Sequence, residues 1–561
     1  MSCALQAVPR VLLILGIGVL HYPLACRAAD PPAQPPPAAA PSAAPVSRPA
    51  AAPAPLFPIL EYQVEGNTVL PAIDVERAVT PYLGTGKTIQ DVEAARAHLE
   101  SLYHDRGFKT VLVDIPQQRV ADGVVRLRVI EAPVGNLKIV GSHYHSPVAI
   151  RETLTQFNPG AVPNFDVVQK ELGQVNRSED LRVTPVLRAS DTPGKVDVDL
   201  QVSDQLPLHY LLEVNNRYSA NTAHIREIGE LHYDNLFQRN QSLSLQYQIA
   251  AAEPANSEIF SASYVIPMRS GAVWALYYIH SDSNVAAVGS LDVIGKGSIY
   301  GVHWIDPLPT SSRNFFHSVT AGADYKDFAQ NVSEQEAGQI QSPVHYLPFM
   351  VEYSATWLGD PPAPGKRPAS SYGRNSTYLD LNLSFLVAAF GGDWQEFAQR
   401  RAGAGPSYIL VHPTLTREQV LPSNWSLIGR LSGQLASGPL INNEQFAIGG
   451  ADSVRGYTEA ERLGDDGIDG TLELRTPQLL AGRWPKVEQS YLSMFVDAGR
   501  VRTLEPLPGQ TAVYSLASVG LGMRFKLDGL FLALDGSHIL EDGAVTPSGR
   551  YRGSFRFVYS H

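Results

Sequence analysis

Arg455 stands in Ser453-Val454-Arg455-Gly456-Tyr457, at the centre of a polar stretch spanning 446–467. Further on, Phe495-Val496-Asp497-Ala498-Gly499 is an apolar segment carrying one carboxylate. A guanidinium stays charged, and its planar fork of donors grips a carboxylate through two parallel hydrogen bonds. The chemistry open to this pair is a lock rather than a reaction. Arg455 is expected to pair with Asp497, with Gly456 turning the backbone sharply beside it. Glu473 and Arg475 lie two apart on an alternating segment, so they share one face while Leu472 and Leu474 take the other. With the leucines toward lipid, both charges face an enclosed lumen, where Arg455 would sit. A basic charge facing lipid at mid-bilayer depth instead costs about 2–4 kcal/mol.

Bond-making chemistry finds no support, and no catalytic residue, cofactor or metal is expected. Gly84-Thr85-Gly86-Lys87-Thr88 departs from a phosphate loop: Pro81 stands where its first glycine belongs, and a helix precedes it where a strand is required. It reads as an inter-helix turn ending in a cap. His143 and His145 flank Tyr144 with no third histidine or carboxylate nearby in sequence, so they read as a polar strand end. There is no nucleophile elbow and no metalloprotease helix.

A lock needs a wall. From His209 onward no helix stands out, and short alternating segments recur between turn signals, among them 242–248, 272–279, 378–385, 425–431, 471–474 and 531–535. They number about sixteen, an even count suited to a bacterial barrel. Mean hydropathy is −0.09, as expected of strands that alternate lipid-facing and lumen-facing residues. Tyr277, Tyr278, Trp304, Trp357, Trp425 and Tyr491 fall near strand ends and are expected to form aromatic girdles. No blade-length repeat points to a propeller. The expected fold is a transmembrane β-barrel of about 16 antiparallel strands over 206–561, with a long loop, 436–468, folded inward.

Two copies of a β-α-α-β-β unit precede it, over 58–133 and 134–205, and imply two small α+β domains. In the first, Thr88 and Asp91 form a capping box, and Val92, Ala95, Leu99 and Leu102 keep helical spacing. Residues 1–28 read as a signal peptide, with Arg10 before the apolar run 11–20. Both cysteines, Cys3 and Cys26, lie in it, so the mature chain is expected to carry no disulfide or thiolate site. Residues 29–57 are Pro/Ala-rich and read as a disordered, semi-stiff tether. A net charge of −11 with no basic stripe argues against nucleic acid as a partner.

On these motifs the chain resembles the two-partner secretion transporters, or TpsB proteins, of the superfamily that also includes BamA. The resemblance is carried by VEGNTVL (64–70), LESLYHDRGF (99–108), the 114–132 tail, Asn176-Arg177, and Val454-Arg455-Gly456-Tyr457 with Phe495, Asp497 and Gly499; Gly470, Glu473 and Arg475 match the strand after the loop. It implies two periplasmic POTRA domains before an outer-membrane barrel. It implies a secreted, TpsA-type exoprotein as partner, captured in extended form by β-augmentation and threaded to the cell surface. Outer-membrane lipid and the barrel-assembly machinery are the other implied partners. Two features depart from the family. The Pro/Ala-rich stretch stands where relatives place a plug helix, and the chain ends Phe557-Val558-Tyr559-Ser560-His561, with its terminal aromatic displaced by two residues. An assembly factor of the BamA type is the alternative, opposed by the presence of only two repeats. A passive porin is opposed by the repeats and the loop motif.

Overall fold

The computed structural model describes residues 56–120, 122–254, 257–268, 270–283, 285–288, 291–329, 343–361, 370–480, 484 and 486–561. The signal peptide and nearly all of the tether lie outside them. The described residues fall into two compact units, 56–207 and 208–561.

The first unit contains both repeats. In the first, Glu61–Glu65 pairs parallel with Val124–Ile130, which pairs antiparallel with Leu112–Asp114. Helices Ala72–Val79 and Ile89–Asp105 bury Val75, Ala78, Val92, Ala95, Leu99 and Tyr103 against this sheet. Thr88 caps the longer helix: its N–H and its hydroxyl both donate to Asp91, at 2.8 and 2.9 Å. The first helix gives way to a 3-10 turn at Thr80–Tyr82, where Pro81 lacks the N–H needed to continue. Gly84–Lys87 is more than a turn. It is a strand paired antiparallel with Phe57–Ile59, which begins inside the expected tether. Ile59 is fully buried and fixes that pair to the core, while Pro58 is tolerated because the two-stranded sheet is all edge.

The second repeat orders its sheet Val134–Val140, Val196–Asp204, Leu181–Ala189. Its helices are Pro147–Thr153 and Phe165–Val175. The bend carrying His143 and His145 is pinned by one buried carboxylate: Asp204 accepts the N–H groups of His143 (3.0 Å), Tyr144 (2.7 Å) and His145 (2.9 Å). Burial alone would push the Asp204 carboxyl up; the three donors hold it below its ordinary value. The repeats are joined tightly. Asn164 caps the second repeat's helix and also donates to the Arg106 carbonyl at 2.9 Å, while the Phe165 N–H donates to Gly107 at 2.8 Å. A Cβ on Gly107 (φ +92) would lie 2.4 Å from the Asn164 side-chain oxygen.

The second unit is a closed antiparallel barrel. Its sixteen strands, numbered in chain order, are Leu208–Asn215, Arg226–Leu236, Gln241–Ile249, Glu258–Pro267, Val273–Ser281, Gly297–Pro307, Phe315–Phe328, the interrupted pair Val344–Tyr346 and Phe349–Leu358, Ser376–Leu386, Tyr408–Val420, Ser426–Ala436, Asp466–Arg475, Val487–Arg502, Val513–Leu527, Leu530–Ile539 and Tyr551–Ser560. Strand 16 closes on strand 1 in a register running from Arg556↔Asn215 to Ser560↔Leu211. Strand 13 shows how the wall is built. Tyr491, Ser493, Phe495, Asp497 and Val501 are buried inward, while Leu492, Met494 and Val496 lie about half exposed outward. On strand 12, Ile468 and Leu472 likewise point out.

Two expectations about this unit are corrected. Tyr278 joins Phe260 and Tyr300 on the outer face, and Trp357 stacks there on Phe315, as girdle residues do. Tyr277 and Tyr491 face the lumen instead: Tyr277 donates to Asp324 at 2.7 Å, and the Tyr491 ring lies 5.2 Å from the Arg475 guanidinium. Adjacent Tyr277 and Tyr278 have to point to opposite faces of a strand. A helix also occurs after His209, at Trp394–Arg400, with Asp393 as its cap. Seven residues are too few to show helical periodicity in sequence.

Candidate functional site: a segment latched inside the barrel

Residues 437–465 connect strands 11 and 12 and turn inward. A short antiparallel pair, Phe446–Ile448 with Arg462–Gly464, forms the stem of the segment. Its tip carries Val454 to Tyr457.

Arg455 is 6% exposed and Asp497 is fully buried. The Arg455 Nε donates to Asp497 Oδ2 at 2.7 Å and Nη2 to Oδ1 at 2.9 Å, the two-pronged grip expected from the sequence. The Arg455 backbone N–H adds a third bond to the same carboxylate at 3.1 Å. The remaining prong, Nη1, reaches across to Glu473 Oε2 at 2.8 Å. Glu473 in turn accepts Arg475 Nε at 2.8 Å. Arg475 also approaches Glu418 at 3.9 Å, and Asp535 lies 4.0 Å from Arg455. The guanidinium carbon sits 3.4 Å from the centre of the Phe495 ring, a cation–π contact that shields the pair from water. Deleting one partner of a buried ion pair costs about 3–5 kcal/mol, because the survivor is left charged without compensation.

The other motif residues shape this contact. Gly456 adopts φ +97, and a Cβ there would lie 2.6 Å from Ile539 and 2.7 Å from Ser537 on strand 15. A side chain would push the tip off the wall. Gly499 makes room on strand 13: a Cβ on it would lie 3.1 Å from both Val454 and Ile448. Val454, Ile448, Tyr457, Val501, Leu516 and Ile539 close into one buried apolar cluster around the lock. The Tyr457 hydroxyl donates to the Glu541 carbonyl at 2.7 Å and accepts the Ala517 N–H at 3.3 Å. Gly470 lies on strand 12 opposite Ala498.

Sequence reasoning missed the anchors above the tip. Glu461 accepts the N–H and hydroxyl of Thr458 (2.8 Å each) and of Thr546 (2.8 and 2.7 Å), tying the segment to the 540–550 connection. Asp465 is fully buried and accepts from Arg401 Nη2 at 2.7 Å and from the Leu504 N–H at 2.6 Å. Arg217 donates to Glu459 at 3.1 Å, and the Arg430 guanidinium donates to the Asp452 carbonyl. Glu461 and Asp465 lie within the polar stretch around Arg455. Their acidity in an inward segment was the available signal, but their partners are too distant in sequence to be named.

A family model described as the ShlB-type POTRA domain matches residues 57–132. A second, "Haemolysin secretion/activation protein ShlB/FhaC/HecB", matches 370–525, a range that contains Val454–Tyr457, Glu473, Arg475 and Asp497. The outer membrane transporter CdiB of Dickeya dadantii is 23% identical over 435 residues, covering 74% of this chain and 71% of that protein. The heme/hemopexin transporter protein HuxB of Haemophilus influenzae is 19% identical over 416 residues, covering 73% and 71%. At the level of fold, CdiB from Escherichia coli superposes with a TM-score of 0.61 at 15% identity, covering 91% of this chain and 92% of that one. BamA from Haemophilus ducreyi lacking POTRA domains 1–3 does so with a TM-score of 0.54 at 14% identity, covering 90% and 100%. The chain belongs to the TpsB/Omp85 superfamily, as an outer-membrane β-barrel transporter preceded by periplasmic POTRA-type domains.

Proposed function

We propose that this chain exports a partner exoprotein across the outer membrane by two-partner secretion, and that Arg455 with Asp497 and Glu473 forms the latch of its inner segment. The observation that carries this reading is the way 437–465 is attached. Its tip is fixed by a buried ion pair and polar contacts set within a small apolar cluster, and the charged part of that hold can be taken over by water or a passing chain while every rung of the sheet stays intact. A purely structural filler is better held by apolar packing, since a buried ion pair is a weak source of stability. The secretion proteins and named transporters among the relatives support a role in transport.

In this reading 1–28 is the signal peptide, 29–56 the tether, and the two repeats receive the partner. Their three-stranded sheets leave Glu61–Glu65, Leu112–Asp114, Val134–Val140 and Leu181–Ala189 as edges. An extended chain can add to such an edge through backbone hydrogen bonds, with alternate side chains giving selectivity. Folding on the far side gives the passage its direction.

Co-expression with the exoprotein encoded nearest to this chain tests the proposal. Secretion is expected with the parental chain and loss of it with Arg455→Ala. The BamA-type alternative draws on the shared barrel fold. It predicts instead that deleting the chain depletes many outer-membrane barrels while leaving that exoprotein's secretion unchanged.

A further inference from the structure

Residues 387–407 join strands 9 and 10 at the outer end, and they too turn inward. Phe397, on the helix Trp394–Arg400, is 1% exposed. It packs in an apolar cluster with Phe328, Tyr346, Tyr408, Leu440 and Ile441, its ring 5.5 Å from that of Tyr346. Arg400 donates to the Phe328 carbonyl at 2.8 Å and to Asn443 at 2.7 Å. The next residue, Arg401, ties three connections together. It donates to the Leu440 carbonyl and to Asp465 on the latched segment, and to the Leu504 carbonyl on the 503–512 connection, each at 2.7 Å. Asp465 also accepts the Leu440 N–H at 3.0 Å and the Gln445 side chain at 3.1 Å.

We propose that Arg401 is a positioning residue for gating: through Asp465 it holds 387–407 as a lid in the outer mouth and makes the lid and the latched segment open together. The reason is charge. Asp465 is fully buried, and Arg401 is its cationic partner in the structure. Lifting the lid alone strands a buried carboxylate, and withdrawing the latched segment alone strands a guanidinium. Releasing both together lets water reach both groups. Without Arg401 the lid keeps the Arg400–Asn443 bond and apolar contacts with Leu440 and Ile441, none of which strands a charge when the two segments part. The inference rests on the barrel being a gated transporter, but not on which protein it exports.

The test is single-channel recording of the full-length chain in planar lipid bilayers, with no exoprotein present. Arg401→Ala and Asp465→Asn are expected to open more often and to raise mean current several-fold, with Arg401→Lys intermediate because it keeps the charge but not the fork. A cysteine pair supplies a readout that a merely structural role would not move. A Cβ on Gly403 would lie 3.8 Å from the Pro439 Cβ, a spacing suited to a disulfide. In Arg401→Ala carrying Gly403→Cys and Pro439→Cys, oxidation is expected to restore the parental current and reduction to bring back the leak. Parental current in Arg401→Ala would overturn the proposal. So would a leak that oxidation leaves unchanged, or loss of the folded, heat-modifiable mobility of the barrel in both single variants. Failure to find any exported partner leaves these currents unaffected, so the two readings fail separately.

Discussion

The lumen is closed on two sides by different physics. Around strands 12, 13 and 15 the inner segment is held by Arg455, Asp497 and Glu473, with Asp535 nearby. Around strands 7 to 10 the filling is mainly apolar, with Phe328, Tyr346, Phe397, Tyr408 and Leu410 in one cluster bordered by an ion pair, Lys326 to Glu444 at 2.7 Å. Apolar packing is non-directional, and its strength scales with the area buried. A buried charge pair is directional and intolerant of half-removal. The first side therefore specifies where the segment sits, and the second keeps the mouth filled.

The largest effect is expected on the charged side. Arg455→Ala should leave the barrel assembled, judged by heat-modifiable mobility, yet abolish measurable export, because Asp497 and Glu473 lose the cation that fixes the tip. Arg455→Lys should rescue only part of the export, since an ammonium lacks the planar fork that engages both carboxylates.

On the apolar side, Phe397→Ala should cost about 3–5 kcal/mol of local stability through the cavity it leaves. It should appear as a leak in conductance and a lower thermal-modification temperature. Phe397→Leu should recover most of both, because an apolar side chain of similar size refills the space, whereas no such replacement exists for Arg455.

A polar hold of the same kind lies outside the barrel, at Asp204. Its carboxyl is held below its ordinary value, so its contribution to stability is present above the unfolded value of ~3.9 and is lost as pH falls through the lower, folded value. Protection of the 143–145 amides, measured against their intrinsic exchange rates, should therefore fall on acidification below about pH 4. Asp204→Asn should exchange faster already at neutral pH and respond less to acid. The smallest effect is expected at Lys486 and Asp528, 3.0 Å apart but more than two-thirds exposed. Lys486→Ala should change stability by about 0.5 kcal/mol or less, which makes it the control for charge as such.

What could be read in the chain, and what could not, follows the same division. Alternation exposed the strands, and the parity of Glu473, Arg475, Leu472 and Leu474 placed charges inward and leucines outward before any coordinates. Asp497 was legible because it stands alone in an apolar segment, where an unpaired charge is costly, and Arg455 because a long polar stretch interrupts the alternating strands around it. Arg401 and Asp465 were not, because they lie in connections without periodicity and meet only after both segments fold inward. The helix Trp394–Arg400 was too short to announce itself. The strand Phe57–Ile59 was hidden by Pro58 and by a glycine-rich partner, Gly84–Lys87, with little strand propensity of its own. Tyr277 and Tyr491 read as girdle residues, but strand parity turns both rings into the lumen.

The most direct test of the latch is the amount of exoprotein secreted by chains carrying Arg455→Ala, Asp497→Ala and both changes. If the two side chains act as one lock, each single change collapses export and the double variant is no worse than either, with folded barrels present in all three. Parental secretion by either single variant, or losses that multiply in the double variant, would contradict it.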